Sequence, residues 1–540
     1  MRILSVALIF VGTVCAASSY SQTKLVIGIT VDQMRYDYIY RYWNDYGDGG
    51  IKRLITNGSS YEDCHYEYAP TYTGPGHASI FTGTHPSIHG IIGNNWHSRE
   101  ESKTVYCTED DSAATIGSNS DAGKMSPRRL LSTTIGDQLK LASNYRSKVI
   151  GIALKDRGAI LPAGFLADGA YWYDKSNGSF VTSNFYKKAL PEWVQQFNKR
   201  KLSDSLLNLT WKPIMSLSNY DESLPDDKLG EKPLGKMTKP IFPYDLKELR
   251  KTMGFELLNY TPYGNTITFE AAKAAIINEK MGADLHTDLL AVSFSTPDYT
   301  GHQFGPYSME VQDMYIRFDR ELADFLKFID QTVGMSNTVI FLTADHGAAD
   351  HPDLINPPAG FINFSDLEKG LRKALSDKIG TDPIEKIINE QIYLKKSIDE
   401  QTYKLIAEDT KRYLENQPGI ASVIETARFD VCGVEESICK RIRNGYSSSR
   451  SGDLVIVIKP GYLSMGYKKG GTTHGSYYTY DTHVPLIFFG SNINKGKVYS
   501  RVGIQDIAPT ISALLKISRP NGSIGSVLSE VFNIHAKQSN

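Results

Sequence analysis

The segment Leu25-Val26-Ile27-Gly28-Ile29-Thr30-Val31-Asp32 decides the fold class of this chain. Its first seven residues are mostly apolar and β-branched and show no polar alternation, which is typical of a strand buried on both faces of a parallel sheet. Asp32 follows this run directly. Because α/β proteins collect ligand-binding residues at the carboxyl ends of parallel strands, Asp32 is a candidate site residue.

Four further segments have the same strand-like composition, and helical patterns separate them. The strand-like segments are residues 148–154, 289–294, 338–343 and 484–489. The clearest helix-like segments are residues 269–277 and 309–329. This alternation predicts an α/β fold in which a mostly parallel sheet is sandwiched by helices.

Two long regions, at about residues 165–262 and 355–468, interrupt this alternation. The first region is rich in Tyr, Trp, Pro, Asn and Lys. The second has helix-like patterns at 384–393 and 402–414 and an alternating strand at 453–458. Strand-like segments resume after each region, and no repeat or linker divides the chain. The sequence therefore predicts one domain that carries two large insertions.

The N-terminus has the layout of a secretory signal peptide over residues 1–20. Arg2 precedes an apolar run at 3–14, and the small residues Ala16-Ala17-Ser18-Ser19 follow. The run is too short for a membrane-spanning helix. We therefore expect residues 21–540 to be exported, either to the periplasm or out of the cell.

The charge balance argues against a polyanionic partner. Lys plus Arg number 59 and Asp plus Glu number 60 in 540 residues, which gives a net charge of −1. The chain has no long basic run, and no later segment reaches the roughly 18 uncharged apolar residues of a membrane span. We expect a small-molecule substrate and neither nucleic acid nor membrane as a partner, while no feature specifies an oligomeric state.

Four cysteines remain after the predicted signal peptide: Cys64, Cys107, Cys432 and Cys439. An even number of cysteines in an oxidising compartment favours disulfide bonds. Three pairings are possible, and closeness in sequence favours Cys432–Cys439 together with Cys64–Cys107.

Six residues of metal-ligand type form four short clusters along the chain. The clusters are Asp32, Asp298 with His302, Asp345 with His346, and His474. Asp298 and His302 are four residues apart, so one helical turn can present both to one ion. Three carboxylates and three imidazoles suit two cations with mixed oxygen and nitrogen ligands. Two zinc ions about 4 Å apart would clamp the attacking and leaving oxygens of a phosphoryl transfer, which indicates a metallohydrolase.

A candidate nucleophile lies in the turn Pro70-Thr71-Tyr72-Thr73-Gly74-Pro75-Gly76-His77, which precedes a helix-like segment. A hydroxyl at such a turn lies beside free N–H groups and the positive end of the helix dipole. Thr73 is therefore placed to act as a metal-activated nucleophile. A plain helix-capping role is equally compatible with this position.

Five motifs together resemble those of the alkaline phosphatase superfamily. They are D-Q-M-R-Y-D-Y at 32–38, T-G-P-G-H at 73–77, D-Y-T-G-H at 298–302, T-A-D-H-G at 343–347 and T-T-H-G at 472–475. The chain is most similar to the phosphate-irrepressible alkaline phosphatases of bacteria, which are close to the nucleotide pyrophosphatase/phosphodiesterases. The resemblance runs from about residue 24 to about residue 510 and implies an alkaline-phosphatase-like sheet.

The resemblance also implies a ligand set and a mechanism. One Zn²⁺ would be held by Asp298, His302 and His474, and a second Zn²⁺ by Asp32, Asp345 and His346, with Thr73 as a further metal ligand that bridges toward both. Thr73 would attack phosphorus and form a phosphothreonine, which water then hydrolyses. His483 in T-H-V-P is an alternative to His474, although the family pattern favours His474.

Three further residues bear on the substrate class. Asn94 lies in G-N-N-W, and Lys155 and Arg157 lie in A-L-K-D-R-G directly after the strand-like segment 148–154. Two cations suit the dianion of a phosphate monoester, which has one more charged oxygen than a diester. In the family these residues resemble the asparagine and K-x-R pair of the monoesterase branch, so the resemblance implies a phosphomonoesterase, an alkaline phosphatase.

Three alternatives keep the same scaffold. A phosphodiesterase or nucleotide pyrophosphatase would use the same two-metal core, and a phosphonate hydrolase or phosphomutase would share the metals. A non-catalytic binding protein would keep the fold alone. A sulfatase is disfavoured because Thr73 stands where sulfatases need the Cys or Ser of C/S-x-P-x-R.

Overall fold

The structure is a computed structural model that describes residues 22–355, 358–430 and 432–532. The predicted signal peptide at 1–20 lies outside the described residues. The strands are β1 Leu25–Val31, β2 Ser59–His65, β3 Asn95–Ser98, β4 Lys103–Tyr106, β5 Thr115–Ile116, β6 Val149–Ala153, β7 Gly169–Asp174, β8 Ser179–Ser183, β9 Thr210–Trp211, β10 Tyr244–Asp245, β11 Asp288–Phe294, β12 Thr338–Thr343, β13 Gly360–Ile362, β14 Ile384–Ile388, β15 Gln391–Leu394, β16 Ile420–Glu425, β17 Leu454–Ile458, β18 Tyr462–Ser464, β19 His483–Gly490, β20 Gly496–Val498 and β21 Val502–Gly503.

The helices vary from one turn to more than six turns in length. They are α1 Tyr38–Arg41, α2 Ile51–Asn57, α3 Thr73–Thr82, α4 Pro86–His89, α5 Ile135–Ala142, α6 Asp156–Ala163, α7 Glu192–Lys199, α8 Leu202–Leu206, α9 Leu246–Met253, α10 Tyr263–Asn278, α11 Thr296–Phe304, α12 Met309–Thr332, α13 Phe364–Ile379, α14 Glu400–Glu415, α15 Glu436–Gly445, α16 Thr479–Thr482 and α17 Ile507–Leu515. Within the ranges that the structure describes, no helix is both long and apolar enough to cross a membrane.

The main sheet confirms the predicted α/β class. Its strand order is β20-β2-β19-β12-β1-β11-β6-β7-β8-β5, and β21 pairs with β2. The five central strands, from β12 to β7, run parallel to one another. Both neighbours of β1 are other strands of this core, and all seven of its residues are buried. This explains why the β1 sequence shows no polar alternation. Helices α2, α6 and α10 pack against the sheet.

The predicted strands of the main sheet agree with the structure to within one residue at each end. The strand β19 differs in direction from the parallel core, because it runs antiparallel to both β12 and β2. Thr343 at the end of β12 pairs with Leu486 near the start of β19. The chain that enters β19 therefore lies at the same sheet edge as the chain that leaves β12.

The region 355–468 builds a smaller sheet of its own, in the order β14-β15-β17-β16. It has a separate apolar core, to which Leu371, Ile392 and Ile456 contribute. The predicted helix at 402–414 and strand at 453–458 correspond to α14 and β17. In the region 165–262, strands β7 and β8 extend the main sheet before the shorter elements begin.

The helix predicted at residues 384–393 is wrong, because these residues form the antiparallel hairpin β14-β15. The two residues of its turn, Asn389 and Glu390, both have left-handed backbones, with φ of 51° and 58°. Positive φ at both positions is the signature of a tight two-residue hairpin turn. The backbone of β15 also pairs with β17, so these residues form a strand although the spacing of their apolar side chains suggests a helix.

One of the two predicted disulfide bonds is present. Cys432 and Cys439 are bonded, with Cα atoms 6.0 Å apart. The prediction of Cys64–Cys107 is wrong, since both are free and buried. Cys64 belongs to the main core, whereas Cys107 packs in a small cluster with Trp96 and others. Although the two thiols are close in sequence, the fold therefore places them in different apolar clusters. Burial raises the pKa of the Cys107 thiol to about 12.

Candidate active site

The clusters of metal-ligand type meet at one edge of the main sheet. Asp32 follows β1, Asp345 lies two residues after β12, and Asp298 lies in the first turn of α11, which follows β11. Because β1 lies between β11 and β12, the three carboxylates come from adjacent strand ends. His474 reaches them from the chain before β19, whose antiparallel direction returns it to this edge.

The first group of potential ligands consists of Asp298, His302 and His474. The Nε2 atoms of His302 and His474 lie 3.1 Å and 3.5 Å from Oδ1 of Asp298. The Nδ1 atoms of the two rings lie 2.7 Å from the backbone carbonyl oxygens of Thr472 and Thr71, respectively. A carbonyl oxygen can only accept, so each Nδ1 donates, and each Nε2 faces Asp298 as the nitrogen available to bind a metal.

The second group consists of Asp32, Asp345 and His346, all fully buried. The His346 Nε2 atom lies 3.4 Å from Oδ1 of Asp32 and 3.5 Å from Oδ2 of Asp345. These two carboxylate oxygens have no hydrogen-bond partner within the described chain. Burial lowers the pKa of His346 to about 3, so its ring is neutral and can bind a metal.

The two groups adjoin each other. The rings of His346 and His474 stack with their centroids 3.4 Å apart. Buried carboxylate oxygens without a donor are costly, and a bound cation is the usual remedy. The donor set and the two unpartnered oxygens therefore fit a centre that holds metal ions.

Lys155 lies between the two groups. Its Nζ atom is 2.7 Å from Oδ2 of Asp32 and 2.5 Å from Oδ2 of Asp298. Burial alone would lower the pKa of Lys155, but the Asp298 and Asp32 carboxylates outweigh it and raise the pKa. The side chain is therefore an ammonium ion that partly neutralises both ligand groups.

Thr73 is the first residue of α3 and is 1% exposed. Tyr72 occupies the N-cap position and makes no side-chain cap, so Thr73 is not the helix cap that the sequence allowed. The Thr73 Oγ1 atom lies 3.5 Å from His346 Nε2 and 3.5 Å from Arg157 Nη2. The hydroxyl therefore lies beside the second ligand group, at the positive end of a helix dipole.

A glycine permits this approach of α3 to the ligand groups. A Cβ atom at Gly76 would lie 2.4 Å from the backbone oxygen of Asp345, so any side chain would push the helix away. Pro75 lies in the first turn, where a missing N–H group costs no intrahelical hydrogen bond. The G-P-G sequence is thus suited to a tight contact between the helix start and the end of β12.

Arg157 and Asn94 flank Thr73. The Arg157 Nη1 atom donates to the Tyr106 hydroxyl over 3.0 Å, and this hydroxyl donates to Asp156 over 2.6 Å. Asn94 accepts from the Gly74 backbone N–H over 2.8 Å through its Oδ1 atom. This orients the Asn94 amide with its N–H₂ group free to donate to a ligand.

Two residues of the site were missed in the sequence, although both lie inside the quoted motifs. The His77 Nδ1 atom lies 2.9 Å from the Thr73 carbonyl oxygen and 3.4 Å from Asp345 Oδ2. Gln33 donates through its side chain to Asp298 Oδ1 over 2.7 Å and through its backbone N–H to Asp345 Oδ1 over 3.1 Å. Gln33 directly follows Asp32, and His77 lies one helical turn after Thr73, but the sequence shows no sign of their contacts with Asp298 and Asp345.

His483, the alternative to His474, lies elsewhere. Its Nε2 atom is 3.0 Å from the Glu62 carbonyl oxygen, and its ring stacks between Tyr36 and His65 at centroid distances of 4.0 Å and 4.6 Å. The structure thus places His474, and not His483, with the other five residues.

A cavity of about 170 Å³ opens beside His474. Much of its wall comes from the region 355–468, and the lining includes several tyrosines, among them Tyr72, Tyr462, Tyr467, Tyr477 and Tyr478. Tyr72 also packs edge-on against the His474 ring. An apolar group bound near the six clustered residues would find space here.

The family named type I phosphodiesterase / nucleotide pyrophosphatase matches residues 26–483. This chain therefore belongs to that family, within the alkaline phosphatase superfamily. It is 44% identical over 520 residues to alkaline phosphatase PafA of Elizabethkingia meningoseptica, covering 94% of each chain. It is 42% identical over 530 residues to a protein of Myroides odoratus named calcium-transporting ATPase, covering 96% of each.

The crystal structure of wild-type alkaline phosphatase PafA is similar to this fold. The TM-score is 0.91 at 42% sequence identity, and the match covers 95% of this chain and 99% of that one.

Proposed function

We propose that this chain is an exported, zinc-dependent alkaline phosphatase that hydrolyses phosphate monoesters through a phosphothreonine and releases inorganic phosphate. The observation that carries the substrate class is the pair of cations beside the candidate nucleophile. Arg157 lies 3.5 Å from the Thr73 hydroxyl, and Lys155 lies between the ligand groups. Two cations match the dianion of a monoester better than the single charge of a diester. The name of the relative PafA supports the same activity.

The residues fit two metal ions. Asp298, His302 and His474 would hold one, and Asp32, Asp345 and His346 the other; mixed carboxylate and imidazole sets suit zinc. The unpartnered oxygens of Asp32 and Asp345 support this assignment. When bound, zinc supplies Lewis-acid polarisation of a phosphoryl oxygen and lowers the pKa of a coordinated hydroxyl.

The chain's own residues then divide the work of phosphoryl transfer. The Thr73 Oγ1 atom forms a bond to phosphorus as the ester P–O bond breaks, and the alcohol leaves with a proton. Water next cleaves the phosphothreonine, which returns the hydroxyl to Thr73 and releases phosphate. Lys155, Arg157 and the Asn94 amide would bind the phosphoryl oxygens, on which negative charge is concentrated.

The Lys155 ammonium would change its contacts when metal ions are bound. In the structure its ammonium compensates Asp32 and Asp298. Cations bound to these carboxylates would take over that compensation and leave the ammonium for a phosphoryl oxygen. The tyrosine-lined cavity beside His474 would receive the leaving group, and its apolar wall suits broad tolerance.

Export rests on the sequence of residues 1–20 and on the oxidation state of the cysteines. A disulfide such as Cys432–Cys439 is typical of the periplasm or the cell exterior. We further propose that residues 21–540 act as one catalytic domain with insertions at about 165–262 and 355–468.

The alternative is a phosphodiesterase or nucleotide pyrophosphatase with the same metal core, as the family name suggests. We expect the metal-loaded enzyme to prefer an aryl phosphate monoester over the matched diester by at least about 100-fold in kcat/KM, since two cations face the substrate. Steady-state kinetics on the matched pair measures this. A diester preference would assign the chain to the alternative.

A second test addresses the metal ligands through a matched pair of histidines. We expect the purified protein to contain two zinc ions per chain, His474→Ala to retain about one, and His483→Ala to retain both. Elemental analysis by mass spectrometry gives these ratios without reference to activity. If only the His483 variant lost zinc, His483 would replace His474 as the proposed ligand. Wild-type protein that takes up no zinc would refute the proposed zinc site.

A further inference from the structure

A second group of carboxylates lies apart from the candidate active site. Asp226 and Glu231 belong to the segment between β9 and β10, and Glu310 lies in the first turn of α12. Each offers one oxygen atom, and these atoms lie within 4.8 Å of one another. Glu310 is 0% exposed and Glu231 is 8% exposed, so these two are buried, whereas Asp226 is half-buried.

One oxygen of each carboxylate lacks a partner. Asp226 Oδ1, Glu231 Oε2 and Glu310 Oε2 are buried and form no hydrogen bond with any described residue. The opposite oxygens of two of them are held in place. The Phe242 backbone N–H donates to Asp226 Oδ2 over 3.1 Å, and the Tyr244 hydroxyl donates to Glu310 Oε1. Hydrogen bonds thus hold the side chains of Asp226 and Glu310 in place, while one carboxylate oxygen on each of the three residues has no donor.

Within the part of the chain that the structure describes, no cationic side chain pairs with this group. Among the described residues, no Lys, Arg or His forms an ion pair with Asp226, Glu231 or Glu310, and the charged neighbours of each are carboxylates. Burial and then the charge of Asp226 raise the pKa of Glu231 to about 8. Burial and then Glu231 raise the pKa of Glu310. Three carboxylates that repel one another in a buried place require either protons or a cation.

We propose that Asp226, Glu231 and Glu310 bind a calcium ion. The donors are oxygens alone, which selects a hard cation and disfavours zinc. Calcium lies about 2.3–2.6 Å from its ligands, so oxygens on opposite sides of the ion are separated by up to about 5 Å. The observed spread therefore needs little movement of the backbone. Bidentate carboxylates and water would complete the coordination.

This ion would brace the chain behind the candidate active site. The Gly230 carbonyl accepts from the Gly471 N–H over 2.7 Å, and the Lys232 N–H donates to the Gln303 carbonyl over 3.0 Å. Gln303 follows His302, and Gly471 precedes Thr472, whose carbonyl accepts from the His302 ring. Calcium would join the β9–β10 segment to α12 and so hold the backbone on which His302 depends.

Terbium luminescence tests the proposal without reference to catalysis. Trp211 stacks on Tyr244 at a centroid distance of 5.1 Å, and the Tyr244 hydroxyl contacts Glu310, so these rings would sensitise a terbium ion bound there. We expect calcium-free protein with its other metals retained to bind one Tb³⁺ per chain, and Ca²⁺ to displace it. At about 100 times its Kd, calcium should raise Tm by about 2–3 °C.

Variants decide which carboxylates are responsible. Asp226→Asn combined with Glu231→Gln should weaken calcium binding at least about 100-fold, because ligand charge sets the affinity. Asp221→Asn is the matched control: it removes an exposed charge from the same segment, and Asp221 is not among the charged neighbours of the three carboxylates. Wild-type protein without terbium or calcium binding, or unchanged binding in the double variant, overturns the proposal and leaves the group protonated. If the double variant does not fold, the single variant Asp226→Asn, at a half-buried position, is measured by the same terbium and calcium titration.

Discussion

Replacing Thr73 with alanine is expected to lower kcat/KM for a phosphate monoester on the order of 10⁵-fold, because the substitution removes the attacking oxygen. The Thr73 hydroxyl lies at the start of α3, 3.5 Å from both His346 and Arg157. None of the six potential metal ligands is changed. Zinc content should therefore stay at two ions per chain while turnover disappears, which separates loss of the nucleophile from loss of the metal site.

Thr73→Ser is the control for this variant. It keeps the hydroxyl and removes only a methyl group, so we expect activity within about 10–100-fold of the wild type. Acid quenching during turnover of a phosphorus-labelled monoester should trap label on residue 73 of the wild type and none on the alanine variant. Alanine variant activity within about 10-fold of wild type would show that water attacks directly and that Thr73 only begins a helix.

Removing Lys155 and Arg157 together is expected to change substrate preference more than any other substitution. The variant Lys155→Ala with Arg157→Ala should lose roughly 10³–10⁴-fold in kcat/KM for an aryl monoester, and about 10-fold for the matched diester. The reason is electrostatic, because the monoester alone carries the second negative charge that these cations would neutralise. The ratio of the two kcat/KM values is the measurement.

Two comparisons make this test specific. Lys175→Ala with Arg200→Ala removes the same charges from exposed pairs with Glu256 and Glu270, so it should leave the ratio unchanged. Arg157→Lys keeps the charge but loses the planar guanidinium that Tyr106 orients. Its ratio of monoester to diester kcat/KM should therefore lie between the ratios of the Lys175/Arg200 control and the Lys155/Arg157 double variant. An equal fall of both activities in the Lys155/Arg157 variant would mean that the pair supports the site in general and does not select the dianion.

Much of the candidate site was readable from the sequence because its residues follow strongly patterned segments. Asp32 and Asp345 come directly after apolar runs, and such runs mark strands whose carboxyl ends meet at one edge. Asp298 and His302 share a helical turn, as their spacing predicts. His77 and Gln33 were missed because their partners, Asp345 and Asp298, are remote in sequence, at separations that no local pattern reports.

Two wrong predictions, the helix at 384–393 and the Cys64–Cys107 disulfide, have a related origin. The hairpin at 384–394 has apolar residues at helical spacing, and only its pairing with β17 decides for a strand. Cys64 and Cys107 are near in sequence, but the fold assigns them to separate apolar clusters. In both cases a local feature was outweighed by contacts between distant residues.

The sequence by itself determined five strands of the main sheet, β1, β6, β11, β12 and β19, and helical segments within α10, α12 and α14, because periodicity and side-chain type report the burial of each residue. It also contained, within five short motifs, the residue types of the proposed two-metal site. Only the tertiary structure decided that β19 runs against its neighbours, which returns His474 to the edge that holds Asp345 and leaves His483 against His65. Likewise, Asp226, Glu231 and Glu310 became a group only on folding. The physical reason is that direction, pairing and convergence arise from contacts between segments far apart in the chain, which no local pattern encodes.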